Sequence, residues 1–132
     1  MLCNRVLASI LPSFRRIFTQ YGITEQQWRI LRILWARDGL SQNEIAQRGL
    51  LPKQSLVGII DRLEALDLVR RSQSQQDRRK SAIKLTAKAR QIEAEITPEV
   101  NRVYAQLEKL LTPEQWTALE HMLKHIADNS PK

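Results

Sequence analysis

The stretch "SQNEIAQRGLLPKQSLVGIIDRLEAL", residues 41–66, decides the fold, because it holds the start and end signals of two short helices. Ser41 followed by Glu44 three residues later is the capping-box pattern that begins a helix, and Gly49 is a natural terminator for it. Pro52 suits the first turn of a second helix. The apolar positions of that helix recur at helical spacing: Leu56, Ile59, Ile60, Leu63 and Leu66. Two consecutive helices joined around Gly49 predict a helix-turn-helix arrangement.

The polar side of the second helix has side chains that suit contacts with nucleic acid. Lysine, glutamine and serine at a helix N-terminus can donate to phosphates or base edges, and a glycine lets the helix approach a groove wall closely. An ordinary solvated helix also has a polar side, so this helix alone leaves both interpretations open. The predicted contacts, including two residues at the start of the preceding helix, are Ser41, Gln42, Lys53, Gln54, Ser55, Gly58 and Arg62.

The next segment favours DNA binding. "LVRRS" (68–72) and "SAIKL" (81–85) predict a two-stranded hairpin around the cationic loop "SQSQQDRRKS" (72–81). A hairpin after such a helix predicts a winged helix-turn-helix. Charged hairpin loops are common on protein surfaces, but residues 70–90 contain eight cations and one anion, which solvation alone does not require. The predicted DNA contacts here are Arg70, Asp77, Arg78, Arg79 and Lys80, with Asp77 also able to pair with a neighbouring guanidinium.

Composition agrees with a folded protein that binds a polyanion. The 132 residues include 21 Lys/Arg and 14 Asp/Glu, a net charge of +7. The charge is segregated, since residues 1–90 carry 17 basic and 7 acidic side chains while 91–132 carry 4 and 7. The single cysteine, Cys3, excludes an internal disulfide or a zinc site built of thiolates. Without a long apolar run or a signal-peptide pattern, we expect a cytoplasmic protein with no membrane segment and no cofactor.

The remaining helices predict a mainly α fold with a small β-hairpin in a single domain of residues 1–132. Thr24 with Gln27, Thr86, and Thr112 with Gln115 mark further helix starts. Residues 24–90 are the predicted DNA-binding winged helix-turn-helix, and 1–22 and 91–132 the predicted helical dimerisation region. Their apolar stripes exceed what one small domain buries, which favours a homodimer, although a monomeric helical bundle is the alternative. Within the last region, Pro98 either kinks its helix or restarts it.

The residues carry a resemblance to a known family. "GITEQQWRILRIL", "LSQNEIAQR", "IIDRLEALDLVRR" and "DRRKSAIKLTAKAR" resemble, in order and spacing, the MarR (multiple antibiotic resistance regulator) family. The resemblance implies a homodimeric winged-helix regulator that binds a palindromic DNA operator and that small anionic or aromatic ligands, or oxidants, release. It places Arg62 near the DNA backbone and Asp77 and Arg79 at the D-x-R pair of the wing. "SLVG" (55–58) departs from the Ser/Thr-rich run of many members, which leaves the operator sequence open.

An effector site is predicted where the first two helices meet the dimerisation part. Arginine beside an indole suits an aromatic carboxylate, and "FRR" before "GITEQQWRILR" is similar to the branch of the family that governs breakdown of hydroxylated aromatic acids. Trp28 and Trp35 also fit a purely structural, core-packing role. The predicted ligand contacts are Arg15, Arg16, Trp28 and Arg32, with Trp35 nearby.

Other functions receive less support from the sequence. An enzyme is not expected, because no nucleophile–base set or phosphate-cradling motif is present. His121 and His125 have the i, i+4 spacing of metal ligands but lack a third ligand nearby, so we expect no metal. The alternatives that stay open are a nonspecific architectural DNA-binding protein, a winged helix that binds only proteins, and a redox-responsive regulator that uses Cys3.

Overall fold

The structure, a computed structural model, describes residues 2–73 and 81–131. These residues form six helices and three strands: α1 (Leu2–Gln20), α2 (Glu25–Ala36), β1 (Leu40–Ser41), α3 (Gln42–Gly49), α4 (Lys53–Ala65), β2 (Val69–Gln73), β3 (Ser81–Leu85), α5 (Ala87–Glu108) and α6 (Pro113–Asn129). The predicted mainly α fold with a winged helix-turn-helix is confirmed. Among the described helices, none is both long and apolar enough to cross a membrane.

The predicted helix starts are present. Thr24, Ser41 and Thr112 each accept a hydrogen bond from the backbone N–H three residues on, and the glutamine or glutamate at that position reaches back to the N–H of the capping residue. Thr86 caps α5 by accepting from the N–H of Ala89 at 3.2 Å. These caps work within four residues of chain, which is why the sequence alone located them.

The turn between α3 and α4 differs from the prediction in detail. Gly49 is the last residue of α3, and Leu50 takes the left-handed conformation that ends the helix, with φ 51° and ψ 41°. A Cβ at Gly49 would lie 3.3 Å from Cδ1 of Ile33, so a larger residue there would require Ile33 of α2 to move by a few tenths of an ångström. Pro52 is the N-cap of α4 rather than a residue of its first turn, and Leu66, expected on the buried face, is 37% exposed.

The wing is part of a three-stranded antiparallel sheet in the order β1–β3–β2, whereas the sequence predicted two strands. β2 pairs with β3 from Val69 opposite Leu85 to Gln73 opposite Ser81. β1 adds Leu40 opposite Ile83 and Ser41 opposite Ala82 on the other edge. The third strand joins the start of α3 directly to the wing.

One hydrophobic core runs through the described part of the chain. Apart from Ile96 of α5, its large, fully buried side chains lie in the winged helix: Ile30, Leu31, Leu34, Ile45, Leu56, Ile60, Leu63, Leu68, Val69 and Ile83. Phe14 and Phe18 of α1 and Ile96 and Val100 of α5 belong to the same cluster. The flanking helices α1 and α5 are therefore packed onto the winged helix, which places α2 between them and the wing.

The two C-terminal helices pack differently. α5 runs without interruption through Pro98, so the restart considered from the sequence does not occur. Thr97 Oγ1 donates to the carbonyl of Glu93 at 2.6 Å, a local bond in the turn that precedes the proline. α6 contains no buried residue, and Met122, Leu123 and Ile126 are each more than half exposed.

Candidate DNA-binding surface and ligand cleft

The N-terminal turn of α4 presents the predicted contact residues to solvent. Lys53, Gln54 and Ser55 are exposed, while Leu56 on the opposite side is buried. Gly58 is exposed too, and a Cβ placed there would meet nothing within 4 Å, so this face of the helix is open. Arg62 lies exposed one turn further along. Five of the predicted contacts thus lie at solvent-exposed positions of α4.

Ser41 and Gln42 lie at the start of α3, where Ser41 already has a structural role. Its hydroxyl accepts from the N–H of Glu44 at 3.2 Å, and its own N–H donates to the Glu44 carboxylate at 3.3 Å. These hydrogen bonds lower the pKa of Glu44 below its ordinary value, the bond from the Ser41 backbone contributing most. Both Ser41 and Gln42 are only partly exposed.

The two arginines of β2 differ in their surroundings. Arg70 is 75% exposed and pairs with Asp67 at 3.3 Å, so its guanidinium is available at the surface. Asp77, Arg78, Arg79 and Lys80, the predicted contacts of the loop, lie outside the described residues. Among the predicted wing contacts, the structure therefore describes Arg70 alone.

Arg71 faces α4 instead. Its Nη2 lies 2.7 Å from Asp61 Oδ1, and its Nη1 donates to the Glu64 carboxylate. The side chain is 29% exposed. Two carboxylates of α4 thus compensate the charge of Arg71 and fix β2 against the helix. Counting the basic residues of the sequence could not show that Arg71 has this structural role rather than a contact with DNA.

A cleft of about 320 Å³ lies between α2 and α5. This volume is within the range of about 300–1,000 Å³ typical of small-molecule sites. On the α2 side it is lined by Trp28, Arg32, Trp35 and Ala36, and on the α5 side by Glu93, Ile96, Thr97, Val100, Asn101 and Tyr104. The cleft therefore combines a cation, a carboxylate, neutral polar groups and aromatic rings.

The α2 side follows from helical spacing. Trp28, Arg32 and Trp35 stand at i, i+4 and i+7, so they lie along one stripe of the helix. The Arg32 guanidinium carbon is 5.3 Å from the centre of the Trp28 ring, within the distance of a cation–π contact. Trp28 also stacks on Phe18, with ring centres 5.0 Å apart. The indole thus has both roles that the sequence left open, packing on the core and lining the cleft.

The α5 side was missed by sequence reasoning. Ile96 and Val100 were predicted only as part of an apolar stripe, and Thr97, Asn101 and Tyr104 were not singled out. A signal existed in the spacing, because Thr97, Asn101 and Tyr104 at i, i+4 and i+7 form a second stripe beside the apolar one. Which helix that stripe would face could not be read from the sequence.

Arg15 and Arg16 lie away from the cleft lining. Arg15 is 61% exposed and pairs with Glu25 at 3.6 Å, and Arg16 is exposed.

Trp35 has an unpaired polar group, because its indole Nε1 is buried and has no hydrogen-bond partner within the described structure. A buried donor left unpaired costs about 1–3 kcal/mol, so the indole N–H of Trp35 is a polar group that no described residue satisfies.

The side opposite the cleft on α5 is tied to the α1–α2 turn. Tyr21 Oη donates to Glu99 Oε2 at 2.5 Å. This hydrogen bond, aided by burial and by the charge of Glu99, raises the pKa of Tyr21 to about 12. The folded protein therefore favours the neutral, protonated form of the Tyr21 side chain.

A larger apolar cavity, of about 730 Å³, opens between α1, α5 and α6. It is lined by Ile10, Phe14, Tyr104, Leu107, Glu108, Pro113 and Trp116.

Cys3, near the start of α1, and His121 and His125, on α6, are exposed. No cluster of three or more potential metal ligands occurs among residues 2–73 and 81–131.

Comparison with known proteins connects this geometry to a family. A model of the MarR family matches residues 21–80. The chain is 34% identical over 119 residues to the HTH-type transcriptional regulator FarR of Neisseria gonorrhoeae, a match that covers 90% of this chain and 82% of that protein. It is also 34% identical over 113 residues to the homoprotocatechuate degradative operon repressor of Escherichia coli, covering 86% and 76%.

Solved structures agree with the sequence relatives. The structure of NadR in complex with 4-hydroxyphenylacetate superposes with a TM-score of 0.80 at 33% identity, covering 97% of this chain and 91% of that one. The transcriptional repressor CouR, bound to a 23-mer DNA duplex, superposes with a TM-score of 0.84 at 30% identity, covering 96% and 89%.

Proposed function

Because the chain belongs to the MarR family, we propose that it is a homodimeric repressor that a small aromatic carboxylate releases from a palindromic operator. Membership of the family makes it a DNA-binding transcriptional regulator and not an enzyme. The observation that carries the proposal is the cleft between α2 and α5, with the Arg32 guanidinium over the Trp28 ring. Since the regulator acts on DNA, its place of action on this proposal is the cytoplasm.

The chemistry of the cleft supports an aromatic carboxylate. Arg32 supplies a cation for the carboxylate, and the indoles of Trp28 and Trp35 supply flat apolar surface for the ring. NadR was crystallised with 4-hydroxyphenylacetate, and the Escherichia coli relative is named for homoprotocatechuate; both compounds are aromatic acids.

The apolar surface of α1 and α6 supports the homodimer. Leu2, Val6 and Leu7 of α1 are 75%, 51% and 52% exposed, and Ile126 of α6 is 61% exposed. Burying one such side chain stabilises by about 1.5–3 kcal/mol, so a face with several of them is expected to be covered in solution. A second copy covers the same face on both partners through a two-fold axis.

The two-fold axis accounts for a palindromic operator. In a dimer, the two α4 helices present Lys53, Gln54 and Ser55 to two half-sites, and the usual separation of such half-sites is about 34 Å, one helical turn of DNA. The complex of CouR with a DNA duplex supports DNA binding by a chain of this shape.

The first test is fluorescence anisotropy with the DNA upstream of the protein's own gene, against scrambled DNA of equal length. We expect preference for the native fragment and its loss on addition of 4-hydroxyphenylacetate or homoprotocatechuate. The uncharged amide, 4-hydroxyphenylacetamide, is the matched ligand control and should release little DNA, because it lacks the charge that Arg32 binds. Equal binding to both fragments, unchanged by either acid, would instead indicate the nonspecific architectural protein.

Two variants distinguish ligand binding by Arg32 from a general effect of removing a positive charge. Arg32→Gln should raise the concentration of acid needed for release by about tenfold to a hundredfold, the loss of one charge-assisted hydrogen bond. Arg29→Gln is the control, because Arg29 is on the same helix and exposed but does not line the cleft. Equal responses of the two variants would contradict a role for Arg32 in ligand binding.

The homodimer has a separate test by sedimentation velocity. We expect a mass of twice the 15.3 kDa of one chain. Ile126→Lys should shift the protein towards monomer, whereas His121→Lys, which adds the same charge on the polar side of α6, should not. A monomeric parent protein at micromolar concentration would refute the dimer.

A further inference from the structure

Both walls of the cleft end close to one carboxylate, that of Asp38. On the α2 side, Ala36 lines the cleft and is the last residue of the helix, two positions before Asp38. On the α5 side, Glu93 lines the cleft and accepts from Arg90 Nη1 at 3.2 Å. Arg90 Nη2 lies 3.8 Å from Asp38 Oδ2, so the same guanidinium connects Glu93 to Asp38.

The other oxygen of Asp38 holds the wing. Oδ1 accepts from the backbone N–H of Leu85, the last residue of β3, at 2.9 Å, and from that of Gly39 at 2.8 Å. β1 pairs only with residues 82 and 83 of β3, so the N–H of Leu85 lies beyond the end of β1. The Asp38 side chain therefore takes the place that a longer edge strand would occupy.

β3 and β1 lead directly to the DNA-binding elements. β3 pairs with all five residues of β2, which lead into the cationic loop, and Arg71 of β2 is bonded to α4. β1 ends at Ser41, the N-cap of α3. A shift of Asp38 relative to Leu85 would thus alter the position of the wing and of α3 together.

We propose that Asp38 is a positioning residue through which occupancy of the cleft changes the affinity for DNA, with Arg90 as its link to α5. The inference rests on the proposed function, since it needs an effector in the cleft. A ligand between α2 and α5 would change the spacing of the two helices, and Asp38 contacts both α5, through its ion pair with Arg90, and the wing, through the N–H of Leu85. The Arg90 guanidinium contacts both Glu93 and Asp38, so a displacement of Glu93 would alter the contact between Arg90 and Asp38.

The test measures a coupling factor, the Kd for operator DNA with saturating 4-hydroxyphenylacetate divided by the Kd without it. Typical coupling between two sites corresponds to about 5-fold to 150-fold. Arg90→Gln should lower the factor about threefold or more, within the range known for changes along a coupling network, while the Kd of the effector-free protein stays within about twofold. Binding of the acid without DNA, followed by tryptophan fluorescence, should persist in this variant.

Lys88→Gln is the matched control. Lys88 lies on the same turn of α5 and loses the same charge, but its Nζ donates to the carbonyl of Leu66 at 2.9 Å rather than to Asp38. It should keep the coupling factor of the parent. Asp38→Asn keeps an acceptor for Leu85 but loses the charge that Arg90 contacts, so it should lower the factor as Arg90→Gln does. Arg90→Lys, which keeps the charge, should restore most of it.

The outcomes separate this inference from the proposed function. If the acid releases the parent and Arg90→Gln by the same factor, the role of Asp38 and Arg90 is overturned and the effector cleft stands. If Lys88→Gln lowers the factor as much as Arg90→Gln, the effect is one of general charge and the inference is likewise overturned. If the acid neither binds nor releases the parent, both the proposed function and this inference are wrong.

Discussion

The turn between α3 and α4 contains backbone strain that a single substitution should relieve. Leu50 is in the left-handed conformation, with φ 51°, and its side chain is 90% exposed. For a residue with a Cβ this conformation costs about 1–2 kcal/mol. Leu50→Gly removes that cost but gives the unfolded chain more freedom, which takes back about 0.4–1 kcal/mol. Little apolar contact is lost, so we expect a net stabilisation of about 1 kcal/mol.

Urea unfolding followed by circular dichroism, at one fixed protein concentration, measures this difference. The midpoint should rise with an unchanged m-value, and the melting temperature should rise by about 2–6 °C for a chain of this size. Leu50→Ala is the control, because it removes the same side chain but retains the Cβ and with it the strain. If Leu50→Gly is no more stable than Leu50→Ala, the strain argument is wrong.

Three further predictions concern the wing, the α1–α2 turn and the start of α3. Arg71→Gln should weaken operator binding without changing its salt dependence, because the Arg71 guanidinium is compensated by carboxylates of α4. Arg70→Gln should instead reduce the slope of log K against log salt by about 0.9. Equal slopes in salt titrations of the two variants would contradict this assignment. The pKa of Tyr21 is raised from about 10 in the unfolded chain to about 12 in the folded protein, so the protonated phenol stabilises the fold below pH 10 and this contribution is lost as the pH rises from 10 to 12. In urea unfolding, the parent should therefore be more stable than Tyr21→Phe at pH 8, and the difference should shrink towards pH 12. A difference independent of pH would refute this. Ser41→Ala should lower the free energy of unfolding in urea by about 1 kcal/mol, since the cap of α3 is lost, and Ser41→Asp should restore most of it.

The features that the sequence predicted well are local. The caps at Thr24, Ser41 and Thr112 depend on groups three residues apart, and the apolar face of α4 depends on one helical period. Trp28 and Arg32 could be paired for the same reason, since one turn of α2 separates them.

The features that it missed depend on distant parts of the chain. β1 consists of Leu40 and Ser41 and exists only because β3 supplies its partners. The α5 side of the cleft required knowing that Thr97 and Asn101 face α2. Gly49 was expected to end α3 by its own conformational freedom, but it is the last residue of the helix, packed near Ile33, and the left-handed position is at Leu50.

The division of α2 into two faces has a practical consequence for engineering. Ile30, Leu31 and Leu34 are fully buried in the core, whereas Arg32 and Ala36 are exposed and line the cleft. Thr97 and Asn101 face them from α5 and are exposed as well. On the proposed function, a combinatorial library at these four positions would vary the ligand cleft without removing a core side chain, which would make the chain a scaffold for biosensors that report new small molecules.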